Sequence, residues 1–346
     1  MQLPRYFKLY ADPATIPTGG PNQSGDALAF SPDKSYIAVA SKSSPYINVY
    51  PWSIYTGFGT RATNPATLPA GLGNAIAWSP DGAYVAIAHV TSPFVSVYPW
   101  SGGALGAKVS DPATLPAGNG NAVAWSPNGA YIAIGHNNSP YVSVYNWSAG
   151  FGSKLSNPAT LPASACLSVA WSPSGADFAV AHGSSPYVTA YPWSAGFGAK
   201  YSDPATLPGS NGVSVKFSPD GAYIAVASSV TPFVYVYPWS AGFGTKVSNP
   251  ATLPAGSGVS VAWSPSGDFL VVAHQNAPSL SIYPWSAGFG TKTADGFTGM
   301  WPTQAQCVVF NDDATIAYYS NGGTPYVHVG KLLLRPGRGL LSGGRL

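Results

Sequence analysis

The chain has 346 residues, 45% of them hydrophobic and only 8% charged, with a formal net charge of +3. Soluble domains average about 25% charged residues, so Ser, Thr, Asn, Gly, Pro and Tyr must form this surface, and the clustered Lys/Arg footprint of a nucleic-acid binder is excluded. With 40 Gly, 34 Pro, 21 Tyr, 11 Trp and no Glu among its 12 acidic residues, the chain cannot be mainly helical and reads as all-β.

No apolar run approaches the roughly 20 residues of a membrane-spanning helix. Residues 1–13 lack the apolar core of a secretory leader, so neither membrane insertion nor signal-directed export is expected. Cys166 and Cys307 stand in unrelated contexts and read as small buried hydrophobes rather than a disulfide or metal pair. A chain this long buries about three quarters of its unfolded surface and needs neither staple to fold.

In chain order, residues 5–10 form a first short strand ahead of a Pro-Ala-Thr motif at 13–15. An aromatic residue followed by Ser then recurs at Phe30-Ser31, Trp78-Ser79, Trp125-Ser126, Trp171-Ser172, Phe217-Ser218 and Trp263-Ser264, with a degenerate copy at Phe310-Asn311. The intervals are 48, 47, 46, 46, 46 and 47 residues, which divides the chain into seven units. In the third unit the first strand covers 121–125 and ends in a Ser-Pro-Asn-Gly turn, where Pro presets φ and Gly tolerates the reversal. A second strand covers 131–136, a connector ends in Ser-Pro, and a third strand covers 141–147. The turn WSAGFG, beginning at 147, 193, 239 and 285, leads to a fourth strand around Lys154, and Pro-Ala-Thr-Leu-Pro returns the chain to the next unit. The last unit supplies only three strands, at 307–310, 316–320 and 326–331.

Seven four-stranded units of this length predict a seven-bladed β-propeller over residues 1–332. A β-helix is the alternative, but its rungs are shorter and lack regular hairpin punctuation. The N-terminal strand sits in the register of a fourth strand and is expected to complete the last blade, removing two open edges. Residues 333–346 remain as a tail in which Lys331, Arg335, Arg338 and Arg345 are interleaved with leucines, a composition suited to docking on another protein.

SPDGAYIAVAS at 218–228, followed by TPFVYVYPW at 231–239, resembles the WD-repeat and YVTN-type propellers over nearly the whole chain. The variant with SPY-V-x-V-Y and NPATLP is similar to arrays encoded by phages and prophages, often beside virion or tail genes. Tyr-Pro-Trp replaces the Trp-Asp ending, so the His-Asp network of ordinary WD repeats is not carried over.

The candidate functional residues follow from repeat positions. Asp33, Asp81 and Asp220 are turn residues, and Asp12, Asp111 and Asp203 precede the motif proline. Asp177, Asp268, Asp312 and Asp313 fall at or just after the first hairpin turn, and Asp295 in a connector. Only Asp26 is placed near the channel mouth, and acid–base or metal chemistry needs more than one such group, so no enzyme, metal or cofactor is expected. His89, His136, His182 and His274 share one position at the end of the second strand, with Ser41, Ser228 and Ser320 in the other units. They read either as caps of the following loop or as a polar ring on a partner face. The first residue of each inner strand is polar in units 7, 1, 2 and 3 (Gln306, Asp26, Asn74, Asn121) and apolar in units 4, 5 and 6 (Leu167, Val213, Val259). This division suggests a two-sided mouth for an asymmetric partner. Lys216, alone among Ala and Val, reads as a snorkelling side chain or as the partner of an anion in the channel. Trp52, Trp100, Trp193, Trp239 and Trp285 suit packing at the blade margin, with sugar stacking as the alternative, and Lys108, Lys154, Lys200, Lys246 and Lys292 suit edge protection.

Together these readings predict a non-enzymatic virion protein, assembled in the host cytoplasm, whose partners are other virion proteins. A carbohydrate-binding propeller recognising a host surface glycan is the alternative.

Overall fold

Small and large residues alternate along the first two strands of every unit, and this pattern builds seven antiparallel sheets rather than one continuous one. The computed structural model of the chain describes residues 7–15, 17, 19, 20, 26–293, 304–312, 315–320 and 326–332. The innermost strands of blades 1 to 7 are Leu28–Phe30, Gly73–Trp78, Gly120–Trp125, Cys166–Trp171, Gly212–Phe217, Gly258–Trp263 and Ala305–Phe310. Each touches the innermost strands of the two flanking blades, and blade 7 touches blade 1, so the seven enclose a central channel. The N-terminal strand Phe7–Leu9 pairs with Val327–Leu332, placing Leu9 opposite Gly330 and Lys8 opposite Lys331, and so completes blade 7. Lys331 therefore belongs to a blade strand, while Arg335, Arg338 and Arg345 lie outside the described residues.

Antiparallel order puts the first and third turns of each blade on one face and the connector between its second and third strands on the other. We call these the turn face and the connector face. The return motifs lie on the connector face, where Tyr145, Tyr191, Tyr237 and Tyr283, all fully buried, donate hydroxyl bonds of 2.7–2.8 Å to the carbonyls of Thr114, Thr160, Thr206 and Thr252.

Aromatic side chains fill the seams between blades. Trp125 and Trp147 of blade 3 meet edge to face with centroids 4.7 Å apart, and Tyr84 of blade 2 packs against both. The same arrangement joins Tyr36 to Trp78 and Trp100, Tyr131 to Trp171 and Trp193, and Tyr223 to Trp263 and Trp285. Of the margin tryptophans, Trp52, Trp193 and Trp239 are buried in these seams, and Trp100 and Trp285 are half-buried. At the seam of blades 4 and 5, Asp177 stands where a tyrosine would. It is no turn former: its carboxylate accepts from Trp239 Nε1 at 3.1 Å and from the Tyr201 hydroxyl at 2.7 Å, and the Tyr201 ring supplies the missing aromatic contact.

The fourth strand differs from expectation. Among blades 1 to 6 it is full length only in blade 3, as Phe151–Lys154, and shrinks to the two-residue strands Gly57–Phe58 and Ala104–Leu105 in blades 1 and 2. In blades 4, 5 and 6 it is one bridge between Trp and Phe. The third strand of those five blades ends in Tyr-Pro-Trp, and proline brings no N–H to the ladder. Blade 3 has Asn146 there, whose side-chain amide donates to Ser153 Oγ at 2.9 Å. At the outer rim, Lys108 and Lys200 pair with Asp111 and Asp203, and Lys154 and Lys246 donate to Asn157 and Asn249.

Candidate functional site at the central channel

The polar and apolar arcs at the start of the inner strands are two ways of tying one blade to the next. Asn74 Nδ2 donates to the Gly120 carbonyl at 2.8 Å, and Asn121 Nδ2 donates to the Cys166 carbonyl at 2.9 Å. Where the first residue is Leu167, Val213 or Val259, the second is Ser168, Ser214 or Ser260, and its hydroxyl accepts the backbone N–H of Val215, Val261 or Val308 in the following blade. Blades with a polar first residue carry Ala27, Ala75, Ala122 or Cys307 in second place. The exchange satisfies inward-facing backbone groups from either position. Asn74 and Asn121 thus tie their seams; Asn74 and Gln306 are buried, and Asn121 is half-buried.

The four histidines are also withdrawn from the surface. His89, His136, His182 and His274 are all 0% exposed, and their Nε2 atoms bond Ser96, Ser143, Thr189 and Ser281 at 2.8–3.0 Å. In His136, Nδ1–H donates to the Asn138 carbonyl at 2.8 Å, so Nε2 accepts the serine proton. Burial pulls the imidazoles of His89, His136 and His182 down to about 4, and they are neutral at physiological pH. Blade 1 meets the same need with Ser41 and Asn48 Nδ2, 3.2 Å apart. These residues tie the end of the second strand to the third from within the blade.

Asp26 behaves otherwise. From the start of blade 1 its carboxylate crosses the channel, accepting Lys216 Nζ of blade 5 at 2.6 Å and the Ser168 hydroxyl of blade 4 at 2.9 Å. The anion that Lys216 meets in the channel is thus a carboxylate of the chain itself, 190 residues away. No local pattern around either residue foretells the pair, although each is the odd member of its repeat position. Between the pair and the turn face lies a cavity of about 380 Å³, walled by Phe30, Trp78, Trp125 and Phe310 and floored by Ala29, Ala77 and Ala124. Among the described residues, no cluster of three or more His, Cys or Asp side chains is placed to hold a metal ion.

The family of the WD domain, G-beta repeat, matches residues 202–230. No curated protein matches the chain. Among solved structures, hydrazine synthase of Kuenenia stuttgartiensis is similar at 15% identity and a TM-score of 0.68, covering 92% of this chain and 98% of that one. With 1422 solved chains matching, the likeness defines a fold shared by many proteins. The chain is a WD-repeat-like β-propeller.

Proposed function

We propose that this protein is a non-enzymatic component of a phage particle, a rigid ring that supports, decorates or attaches through protein contacts made on its connector face. The observation that carries this reading is the repeated presentation of one motif. In blades 3, 4 and 5 the triads Ala113-Thr114-Leu115, Ala159-Thr160-Leu161 and Ala205-Thr206-Leu207 are exposed, each between two buried prolines and each pinned through its threonine carbonyl by a buried tyrosine. Such loops lose little entropy on contact, and an uncharged, repeated epitope suits a multivalent neighbour whose grip varies little with salt. The basic, leucine-bearing segment 333–346 offers a second contact.

Quantitative mass spectrometry of purified particles from the source encoding this chain tests the reading. A fixed copy number matching a capsid or tail symmetry is expected. Absence from the particles overturns it.

A further inference from the structure

Three departures from the repeat converge on the cavity at the turn-face end of the channel. The first is Lys216, which stands where the other inner strands carry Ala29, Ala77, Ala124, Ala170, Ala262 and Val309. The second is Asp26, the one carboxylate at a position otherwise filled by Asn, Gln, Leu or Val, and it holds the Lys216 ammonium across the channel at 2.6 Å. The third is Lys34 in the first hairpin turn of blade 1. The equivalent residues Gly82, Gly129, Gly175, Gly221 and Gly267 have φ between 70° and 80°, whereas Lys34 holds φ 65°, a left-handed conformation that disfavours any residue with a Cβ. The turn is therefore strained in blade 1, where the Lys34 side chain also lines the cavity.

The cavity is lopsided in a way that fits these substitutions. Ala170 and Ala262, on either side of Lys216, are buried, while Ala29, Ala77 and Ala124 across the channel remain half-open to it. The lysine divides the interior into a filled side and an open side with aromatic walls. Its ammonium has three N–H groups, and one bond goes to Asp26, so two can meet a ligand. The nearby carboxylates are already engaged: Asp33 accepts from Ser31 Oγ and the Ser35 N–H, and Asp81 from Ser79 Oγ and the Ala83 N–H.

We propose that this end of the channel binds a small organic carboxylate carried on a flat apolar body. The carboxylate lies between Lys216 and Lys34, with Asp26 fixing the lysine that receives it. The apolar body fills the space beneath Phe30, Trp78 and Phe310, a volume within the range of ordinary ligand pockets. The site lies on the face opposite the exposed triads and is independent of the role assigned to them.

Isothermal titration of the full chain with 4-phenylbutyrate and with its neutral amide tests the proposal. The acid is expected to bind at least about tenfold more tightly than the amide. Combining Lys34→Gly, Asp26→Asn and Lys216→Ala installs the residues found in other blades, so the ring should still fold, which a thermal melt checks. In that variant the acid is expected to bind no better than the amide. Lys34→Gly alone removes one cation, relieves the left-handed lysine and should weaken the acid severalfold. Failure of the acid to bind the native chain, equal binding of acid and amide, or unchanged binding by the triple variant would each overturn the proposal.

Discussion

Cys166 and Gly135 are one structural decision taken at two positions. At three other seams a glycine opens the inner strand against the preceding blade: at Gly73, Gly120 and Gly212 an added Cβ would meet the carbonyl of Tyr46, Phe94 or Tyr187 at 2.2–2.9 Å and the methyl of Ala40, Ala88 or Ala181 at 3.0–3.4 Å. Blade 4 begins instead with Cys166, and blade 3 compensates with Gly135, whose added Cβ would lie 2.2 Å from the Cys166 sulfur. The bulk has moved across the seam. Burial of Cys166 pushes its thiol pKa up and leaves it a packing group. Gly135→Ala is expected to destabilise the protein by about 1–3 kcal/mol through overpacking. Adding Cys166→Gly rebuilds the seam used elsewhere and should recover at least about 1 kcal/mol of that loss. Urea denaturation of the two single variants and the double variant measures the coupling, and strictly additive losses would sink the account.

At the scale of strands, the buried histidines join the end of the second strand to the third. Their pKa values fall from about 6.5 unfolded to about 4 folded, so the unfolded chain binds more protons between those values. Their contribution is complete above pH 6.5, declines as pH falls toward 4 and is lost below it, at up to about 1.4 kcal/mol per pH unit for each histidine. The lowered carboxyls of Asp33, Asp81 and Asp220 act below this window. Replacing the blade 3 pair with the blade 1 pair, His136→Ser with Ser143→Asn, should flatten the decline by one histidine's share. Unfolding free energies at pH 7 and 4.5 check this, and an unchanged slope would count against it. The strands themselves were legible because the period, the turn chemistry and the small–large alternation are local signals. The burial of the histidines was legible only as a covariation: each is followed seven residues later by Ser or Thr, and Ser41 by Asn48. The Asn-for-Ser exchange at the inner strands leaves a similar trace, since each polar first residue is followed by Ala or Cys. The partnership of Asp26 and Lys216 left no such trace, because ring closure alone brings blade 1 opposite blade 5. The shortening of the outer strands could have been read from the prolines at 51, 99, 192, 238 and 284 against Asn146.

A repeat array whose blades contact only their neighbours gains cooperativity by closing on itself. Closure here rests on the seam of blades 7 and 1, where Cys307, Ala317, Tyr319, Val327 and Val329 join the buried cluster of blade 1, and on the N-terminal strand, whose last step is Tyr10. The cross-channel bond of Asp26 to Lys216 adds a link between blades 1 and 5. The Tyr10 N–H donates to the Val329 carbonyl at 3.1 Å in blade 7, while its hydroxyl donates to the Ile54 carbonyl at 2.7 Å and its ring packs edge-on against Trp52 in blade 1. It is buried, so it couples the first and last blades through apolar contact as well as hydrogen bonds. Tyr10→Ala removes the ring and the hydroxyl but keeps the backbone bond, and should cost about 3–5 kcal/mol if the whole ring unfolds as one unit. In that case hydrogen exchange would accelerate in every blade by a similar factor, because each core amide opens only through global unfolding. If the ring instead yields locally, exchange should rise only in blades 7 and 1 while the amides of blades 3, 4 and 5 keep their protection. Cooperative behaviour is expected, since four of the seven blade seams bury the same Tyr-Trp-Trp contact and the others are also packed with buried apolar side chains. Exchange confined to blades 7 and 1 would show that closure adds only a local clasp.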